Sequence, residues 1–344
     1  MKTKLSLAIL GAGLVGQQHI KTIATSKLAS LHSIIDISKK THDIAKQSKT
    51  KWYRSLDKLF AEGPLPDGII VATPTNLHTQ HVLKIIKKKI PILIEKPIAD
   101  TIKNAKKIIK ESKKEKVDIC IGYQRRHGNI AKFIKKKLSQ GIIGEIIAVN
   151  GTCWLFKPEE YFKVKWRIQK GAGPLGINLV HDIDLLYYWL GPVKSVLALT
   201  SNAKRKRIIE DTASVILEFN SGTICNLSVS DTIVAPWSYE LTAGDNPAYP
   251  LTDQSSYMIG GTKGSLQIPN IKLWFNKERS WWKPIYSKKY NPKIINPLIN
   301  QISNFCNVIK KKERPLVAAE DGLESLKIFE AILESSKMEK KIYI

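Results

Sequence analysis

Short apolar runs alternate with segments of helical spacing along the first third of the chain. Runs of strand length cover residues 5–10, 31–35, 68–72, 92–94 and 117–122, and helical patterns lie between them. Strands that alternate with helical patterns predict βαβ units and a parallel sheet. Parallel sheets bind ligands at the carboxyl ends of their strands, so we expect chemistry in the residues that follow these runs.

The remaining two thirds have a different pattern. Residues 146–154 alternate apolar and polar side chains, which predicts a half-buried strand. Further strands are predicted at 193–200, 213–219, 223–229, 238–242 and 265–268. Helices are predicted at 178–190, 297–310 and 318–338. This succession of strands indicates a second domain.

Three glycines, Gly11, Gly13 and Gly16, lie between the first strand and the first helix. Backbone N–H groups at a helix start, at the positive end of its dipole, suit a pyrophosphate. Gly11 allows the tight turn, Gly13 lets the phosphates approach, and Gly16 lets the helix pack on the strand. The next strand ends at Asp36, whose carboxylate can accept hydrogen bonds from an adenosine ribose. We predict dinucleotide binding; the alternative is a plain turn beside an exposed aspartate.

Motifs follow the other predicted strands. They are TPTNLH at 73–78, EKP at 95–97 and GYQRRH at 122–127, and GPLGINLVHDIDLLYYW lies at 173–189. With GAGLVG at 11–16, these five motifs in this order resemble the glucose–fructose oxidoreductase/inositol dehydrogenase (Gfo/Idh/MocA) family over essentially the whole chain.

The resemblance implies an α/β protein with two domains. We expect an N-terminal Rossmann dinucleotide-binding domain over residues 1–124. Residues 125–344 would form an α+β substrate-binding domain with an open, mainly antiparallel sheet. The family places the active site between the domains, and its sheet face commonly mediates oligomers, so a homodimer or homotetramer is expected. The resemblance also implies a cis bond between Lys96 and Pro97.

Lys96 and His181 are the candidate catalytic residues. Lys96 follows a buried strand, where a cation can hydrogen-bond a substrate oxygen and offset charge on a developing alkoxide. His181 lies on a predicted helix and can act as the general base for a hydroxyl proton. The resemblance assigns Lys96 a catalytic role and pairs His181 with Asp184. A solvated lysine and a buried structural histidine are the alternatives.

One position departs from the family pattern. Many members carry an aspartate four residues before the histidine, and here that residue is Ile177. An isoleucine cannot position a substrate hydroxyl. Either Asn178, displaced by one position, substitutes for the aspartate, or the proton relay is shorter. The departure also raises an alternative function, a non-catalytic dinucleotide-binding sensor.

Further site residues are predicted around the two candidates. Arg125 lies where the second domain opens and could meet an anionic or polyhydroxylated substrate, although a salt bridge at the domain junction is an alternative. Trp154, Trp166 and Arg167 could line the substrate pocket, together with Lys96, Asn178, His181 and Asp184. The predicted cofactor-binding residues are Gly11, Gly13, Leu14, Val15, Gly16, Asp36, Thr73, Pro74, Asn76, His78, Glu95 and Lys96.

Asp36 also bears on the choice of cofactor. A carboxylate at this position repels a 2′-phosphate, so we predict NAD, with NADP possible because Ser38, Lys39 and Lys40 follow. The expected reaction is hydride transfer between the nicotinamide and a secondary alcohol or ketone of a sugar, inositol or related hydroxy acid.

Composition and charge indicate which partners and which compartment to expect. The net charge of +25 comes almost entirely from lysine, which favours solvated surfaces over nucleic-acid recognition. The size of the charge and the run Lys204–Arg207 nevertheless raise nucleic-acid binding as an alternative function. No apolar run is long enough for a membrane helix. The four cysteines lack metal-ligand or redox spacing. We therefore expect a cytoplasmic enzyme with a small-molecule polyol, sugar or hydroxy-acid substrate, without a metal, nucleic-acid or membrane partner.

Overall fold

The structure, a computed structural model, describes residues 4–344 and divides into two compact units. The first unit consists of the described residues up to His127 together with Asn296–Leu326. The second unit consists of Gly128–Ile295 and Lys327–Ile344. The chain therefore leaves the first unit after His127, returns to it at Asn296 and leaves it again after Leu326.

A six-stranded, entirely parallel sheet forms the first unit, in the order β3-β2-β1-β4-β5-β6. Its strands are β1 (Leu5–Leu10), β2 (Ala29–Ile35), β3 (Lys51–Tyr53), β4 (Gly68–Val71), β5 (Ile92–Ile94) and β6 (Ile119–Ile121). The helices among them are α1 (Leu14–Thr25), α2 (Lys40–Gln47), α3 (Leu56–Glu62), α4 (His78–Ile86) and α5 (Ile102–Glu115). The strand order reverses between β1 and β4, the switch point where doubly wound sheets bind ligands.

Local sequence explains where these elements begin. The Ser55 side chain accepts a hydrogen bond from the Lys58 N–H at the start of α3, and Thr101 caps α5 in the same way through the Asn104 N–H. Such caps satisfy backbone donors that lack a partner within the helix. The strands β4, β5 and β6 are buried along their whole length, as expected of a parallel sheet covered on both faces.

A C-terminal segment completes the first unit. The helix α9 (Pro297–Ile309) contributes Ile302, Phe305 and Cys306 to the core that also contains Ile9 and Ile70. The predicted division between residues 124 and 125 had assigned this segment to the second domain. Its amphipathic pattern identified the helix but not the sheet that it covers, since the residues it contacts lie far away in sequence.

A nine-stranded sheet forms the second unit, in the order β14-β13-β12-β11-β7-β10-β9-β8-β15. Only β7 and β10 pair in parallel, so the sheet is mainly antiparallel. Its strands are β7 (Ile146–Trp154), β8 (Val193–Ser201), β9 (Thr212–Phe219), β10 (Ile224–Ser230), β11 (Tyr257–Gly261), β12 (Gly264–Ile268), β13 (Lys272–Phe275), β14 (Tyr286–Lys289) and β15 (Ile342–Tyr343). The helices of this unit are α6 (Asn129–Ser139), α7 (Val180–Leu190) and α8 (Tyr239–Thr242). The last helix, α10 (Ala319–Met338), belongs to the first unit up to Leu326 and to the second unit from Lys327.

The two faces of this sheet differ. One face packs into a core with residues of the helices, including Ile134, Leu186 and Ile332. The other face exposes apolar side chains, among them Leu197 and Ile216, which are direct cross-strand neighbours. The sheet is thus open on one side, as predicted.

Two predicted elements differ from the structure. Residues 238–242, predicted as a strand, form the single-turn helix α8, because the Ser238 side chain accepts a hydrogen bond from the Leu241 N–H and caps a turn. The helix predicted over 178–190 begins earlier, with a π-helical turn (Leu175–Leu179) that continues into α7. Within residues 4–344, no helix is long and apolar enough to cross a membrane.

Candidate functional site

The glycine turn between β1 and α1 has the predicted construction. Gly11 has a φ of +91°, and a Cβ atom there would lie 2.7 Å from the Ala72 carbonyl oxygen. A Cβ atom on Gly16 would lie 2.0 Å from the Gly11 carbonyl oxygen, so only glycine allows this packing. A Cβ atom on Gly13 would meet nothing within 4 Å. The middle glycine therefore borders open space at the start of α1.

The first turn of α1 exposes apolar side chains. Leu14 is 72% exposed and Val15 is 42% exposed, beside the turn. Because a helix start carries free N–H groups and partial positive charge, this surface combines an anion-binding backbone with apolar contact area. A dinucleotide offers both phosphate and ring surfaces to such a site.

Asp36 connects the end of β2 to the glycine turn. Its Oδ2 accepts a hydrogen bond from the Ala12 N–H at 2.7 Å, and its Oδ1 accepts one from the Ser38 N–H at 2.8 Å. These bonds orient the carboxylate beside the glycine turn. Each carboxylate oxygen has a further lone pair, so the group can still accept hydrogen bonds from a ribose.

A buried pair links α1 to the end of β5. His19 Nε2 lies 2.7 Å from Glu95 Oε1, with the His19 side chain fully buried. Glu95 precedes Lys96, so the pair fixes the chain just before the candidate catalytic lysine. His19 is not among the predicted site residues; its only signal in the sequence is a polar side chain at an otherwise apolar position of α1.

His78 connects two of the predicted segments. Its Nε2 lies 2.9 Å from the Thr73 carbonyl oxygen, and its Nδ1 lies 3.0 Å from the Pro97 carbonyl oxygen. Burial lowers the pKa of His78, which favours the neutral ring, while its contacts with these two carbonyl oxygens oppose that shift. The ring thus ties the turn after β4 to the turn after β5.

The other predicted residues of the first unit lie at the same edge of its sheet. Thr73, Pro74 and Asn76 follow β4, and Pro74 and Asn76 are exposed. Lys96 follows β5, is half-buried, and precedes Pro97 through a cis peptide bond, as the family resemblance implied. Since β1, β4 and β5 are neighbours in the sheet, the structure brings these turns together at the switch point.

Arg125 and Arg126 lie in a short 3-10 turn, Gln124–His127, after β6. Both are buried, at 5% and 2% exposure. Arg126 pairs with Asp321 at 3.3 Å within the first unit. The structure thus favours an internal salt bridge for Arg126. Arg125, which was predicted to contact the substrate, is also buried in this unit.

In the second unit, one continuous helical segment carries three predicted residues. Asn178 lies in the π-helical turn and is 8% exposed, and its Oδ1 has no hydrogen-bond partner among the described residues. His181 lies in the first turn of α7 and is half-buried. Asp184 is fully buried, which suits a residue that orients the helix. A buried amide oxygen without a hydrogen-bond partner costs about 1–3 kcal/mol of stability, so Asn178 Oδ1 is suited to accept a hydrogen bond from a ligand.

Asp182, next to His181, is also buried. The Tyr257 hydroxyl on β11 donates a hydrogen bond to Asp182 Oδ1, and this contact anchors the start of α7 to the sheet. The sequence does not predict this pair, because Asp182 and Tyr257 are 75 positions apart.

The predicted aromatic residues are in different surroundings. The Trp154 indole donates a hydrogen bond to Ser228 Oγ at 2.9 Å and packs edge-on against Trp237. Trp166 is 50% exposed, whereas the Arg167 guanidinium stacks 4.1 Å from the centre of the Tyr161 ring. Trp166 therefore remains available for contact with a ligand, and Arg167 orders the loop around it.

The basic run Lys204–Arg207, which raised the nucleic-acid alternative, lies in the connection between β8 and β9. Arg205 bonds to Asp231 Oδ1 at 2.8 Å and to Glu159 Oε1 at 2.6 Å, and Arg207 bonds to Glu159 Oε2 at 2.6 Å. Both arginines are thus paired with carboxylates inside the unit, which is the arrangement of a structural ion-pair network.

Two family models match this chain. One, described as "Oxidoreductase family, NAD-binding Rossmann fold", matches residues 5–123, and the other, "Oxidoreductase family, C-terminal alpha/beta domain", matches residues 135–344. The chain belongs to the Gfo/Idh/MocA oxidoreductase family. The family, the fold class and the NAD-binding nature of the first domain are thereby confirmed.

Characterised members of the Gfo/Idh/MocA family are similar over nearly their whole length. The rhizopine catabolism protein MocA of Rhizobium meliloti is 25% identical, over 96% of this chain and 95% of that protein. Myo-inositol 2-dehydrogenase of Thermotoga maritima is 23% identical, over 98% of both chains. The WlbA dehydrogenase of Bordetella pertussis, solved with NADH and UDP-GlcNAcA, has a TM-score of 0.81 at 24% identity over 99% of both chains, a likeness in fold.

Proposed function

We propose that this protein is an NAD-dependent dehydrogenase that acts on a secondary alcohol, or in the reverse direction on its ketone. The observation that carries the proposal is the match of both parts of the chain to one oxidoreductase family, with the glycine turn built as that chemistry requires. The open space at Gly13 and the orientation of Asp36 by the Ala12 N–H fit a dinucleotide.

The residues at the carboxyl edge of the first sheet would hold the cofactor. Backbone N–H groups at Leu14 and Val15 would bind the pyrophosphate, and Asp36 the ribose. The Asp36 carboxylate would repel a 2′-phosphate, which favours NAD over NADP. When bound, the nicotinamide exchanges a hydride with the substrate carbon.

Lys96 and His181 would perform the polar part of the reaction. The Lys96 ammonium would hydrogen-bond the substrate oxygen and stabilise negative charge on it. His181 would accept the hydroxyl proton during oxidation and return it during reduction. The Asn178 amide, whose Oδ1 is buried without a partner in the described chain, would accept a hydrogen bond from a substrate hydroxyl in place of the family aspartate.

We propose a sugar, inositol or related hydroxy acid as the substrate. Support comes from the relatives, which include a myo-inositol 2-dehydrogenase, and from the half-exposed Trp166, since an indole face can pack on a sugar ring. Arg125, Trp154 and Arg167 remain predicted pocket residues.

A panel of polyols, sugars, sugar acids and nucleotide sugars, assayed at 340 nm with NAD and with NADP, tests the function. We expect turnover of a restricted group of vicinal hydroxyl compounds with NAD preferred. Tight NAD binding in a calorimeter without turnover of any compound in either direction would instead identify a cofactor-binding sensor.

The open face of the second sheet would pack against a second copy of the chain. Leu197, Ile216 and Met258 are exposed there at 38%, 41% and 48%. Leu197 and Ile216 are adjacent across β8 and β9, and exposed apolar neighbours of this kind favour an interface. Light scattering should report a dimer or tetramer for the native chain and a smaller species for Ile216→Lys; a native monomer would reject this assignment.

We also propose that the enzyme works in the cytoplasm. All four cysteines are free and buried, the state that a reducing compartment maintains. Fractionation of cells that express the protein at native level would test this location.

A further inference from the structure

The glycine pattern of the cofactor turn occurs twice in the chain. Residues 11–16 read GAGLVG and residues 171–176 read GAGPLG. The first glycine has a φ of +91° at Gly11 and +87° at Gly171. In both turns the third glycine packs on the carbonyl oxygen of the first, and a helical segment follows. The second turn therefore repeats the backbone features of an anion-binding turn.

The two turns differ at the middle glycine. A Cβ atom on Gly13 would meet nothing within 4 Å, whereas one on Gly173 would lie 2.1 Å from Glu210 Oε1 and 2.4 Å from Glu210 Oε2. The Leu175 N–H, at the start of the helical segment, donates a hydrogen bond to Glu210 Oε1 at 3.1 Å. In the second turn the Glu210 carboxylate therefore fills the position that is open in the first turn.

We propose that residues 171–176 form a second anion-binding glycine turn, whose anion is the Glu210 carboxylate. Glu210 is then the positioning residue for the helical segment that carries Asn178 and His181. The effect of Glu210 on catalysis rests on the proposed function. The binding of its carboxylate by residues 171–176, called the occupied turn below, does not.

Opposing effects act on the Glu210 carboxyl group, and the largest of them, burial, holds its pKa above the usual value. Burial raises the pKa of Glu210, and so does the nearby Asp231. Hydrogen bonds from backbone N–H groups, including that of Leu175, lower this pKa, and so does the positive charge of Lys157. An internal anion bound by N–H groups and a neighbouring cation resembles a phosphate in a glycine-rich turn.

The sequence around the turn is consistent with this role. Pro174 precedes Leu175 and cannot donate a hydrogen bond, so Leu175 supplies the first free N–H of the helical segment. Gly173 leaves the space that the carboxylate fills. A negatively charged group at a helix start stabilises it and fixes its direction.

Removal of the internal anion should leave a vacancy that small anions can fill. In Glu210→Ala, hydrogen exchange of the amides at 174–179, followed by mass spectrometry, should accelerate about tenfold, as expected for loss of a strong N-terminal cap. Added formate should restore protection in a saturable manner, while chloride at equal ionic strength should not. Unchanged exchange in Glu210→Ala, or no response to formate, would overturn the proposal.

Gly173→Ala provides an independent test that keeps Glu210. The new methyl group would displace the flexible carboxylate, so the same amides should exchange faster. In the double variant Gly173→Ala/Glu210→Ala the methyl group fills the anion position, and formate should no longer restore protection. Formate protection of the double variant equal to that of Glu210→Ala would contradict the assignment.

Control variants distinguish a local effect at residues 174–179 from general unfolding. Glu160→Ala removes an exposed carboxylate from the same unit and should leave exchange at 174–179 unchanged. If Glu210→Ala unfolds the second unit, Gly173→Ala and the near-isosteric Glu210→Gln replace it. Glu210→Gln keeps the shape of the side chain but loses its negative charge, so exchange at 174–179 should also accelerate, although less than in Glu210→Ala.

Activity separates positioning from simple structural support. With NAD and a substrate found by the panel, Glu210→Ala should lower kcat more than it changes the affinity for NAD, and formate should restore kcat. The exchange measurements need no substrate. An inactive protein would therefore refute the proposed function alone, whereas absent formate effects would refute the occupied turn alone.

Discussion

His19 and Glu95 form a buried pair, 2.7 Å apart, that joins the first helix of the Rossmann unit to the residue before Lys96. The first helix also begins at the glycine turn. One hydrogen bond thus connects the cofactor side of the unit to its candidate catalytic lysine.

Loss of this bond should destabilise the first unit. His19→Ala leaves a buried carboxylate without its partner, so we expect the free energy of unfolding to fall by about 2 kcal/mol in urea titrations. Lys21→Ala removes an exposed side chain from the same helix and should cost less than about 0.5 kcal/mol. Equal effects of the two substitutions would show that the buried pair contributes little.

Asp36 should determine the preference between NAD and NADP. Asp36→Ala removes the charge that repels a 2′-phosphate and the acceptors for the ribose, so we expect the NAD:NADP affinity ratio to fall by about tenfold or more. Fluorescence titrations of the reduced cofactors measure this ratio. Asp57→Ala, an exposed carboxylate on α3, should leave the ratio unchanged. Preserved selectivity in Asp36→Ala would assign discrimination to other residues.

Lys96→Ala and His181→Ala should each lower kcat by at least about a hundredfold, because each removes a group proposed to act on the reacting oxygen or its proton. The affinity for NAD should be retained in calorimetric titrations. Lys103→Ala, an exposed lysine on α5, serves as the control and should turn over normally. Full turnover by either active-site variant would reject its catalytic role.

His78 should make stability depend on pH. Burial lowers the pKa of His78 below its ordinary 6.5, so the unfolded chain binds a proton more readily than the folded chain. Stability from this group is therefore fully present above pH 6.5 and declines as the pH falls toward the folded pKa. The pKa values of His32 and His81 are lowered too, so they contribute with the same sign.

Thermal unfolding measured from about pH 8 to about pH 5.5 tests this contribution. His78→Gln cannot titrate, so its Tm should fall less steeply with decreasing pH than that of the native protein. Some slope should remain because of His32 and His81. A slope identical to the native one would mean that His78 titrates alike in the folded and unfolded chains.

Local patterns predicted the elements that depend on local chemistry. The turn at Gly11–Gly16 and the strand at 146–154 are set by residues close in sequence, and the structure has both. The predicted strand at 238–242 differs from the helix α8 (Tyr239–Thr242), because a single capped turn contains too few residues for a helical periodicity to appear.

Side-chain contacts between residues far apart in the chain could not be predicted from the sequence. The residues that meet at His19 and Glu95 are 76 positions apart, and Tyr257 reaches Asp182 across 75 positions. The occupied turn at Gly173 was visible as a glycine cluster, but Glu210, its internal anion, lies on the approach to another strand. Spacing identifies a turn, whereas its occupant follows from the tertiary fold.

The return of the chain to the first unit constrains how the protein can be dissected. A fragment that ends at residue 124 would lack α9, and with it Ile302, Phe305 and Cys306 from the core around Ile9. Such a fragment would expose the apolar surface that α9 covers and should aggregate on expression. A minimal nucleotide-binding module would instead need residues 4–127 spliced to 296–326 through a short designed linker.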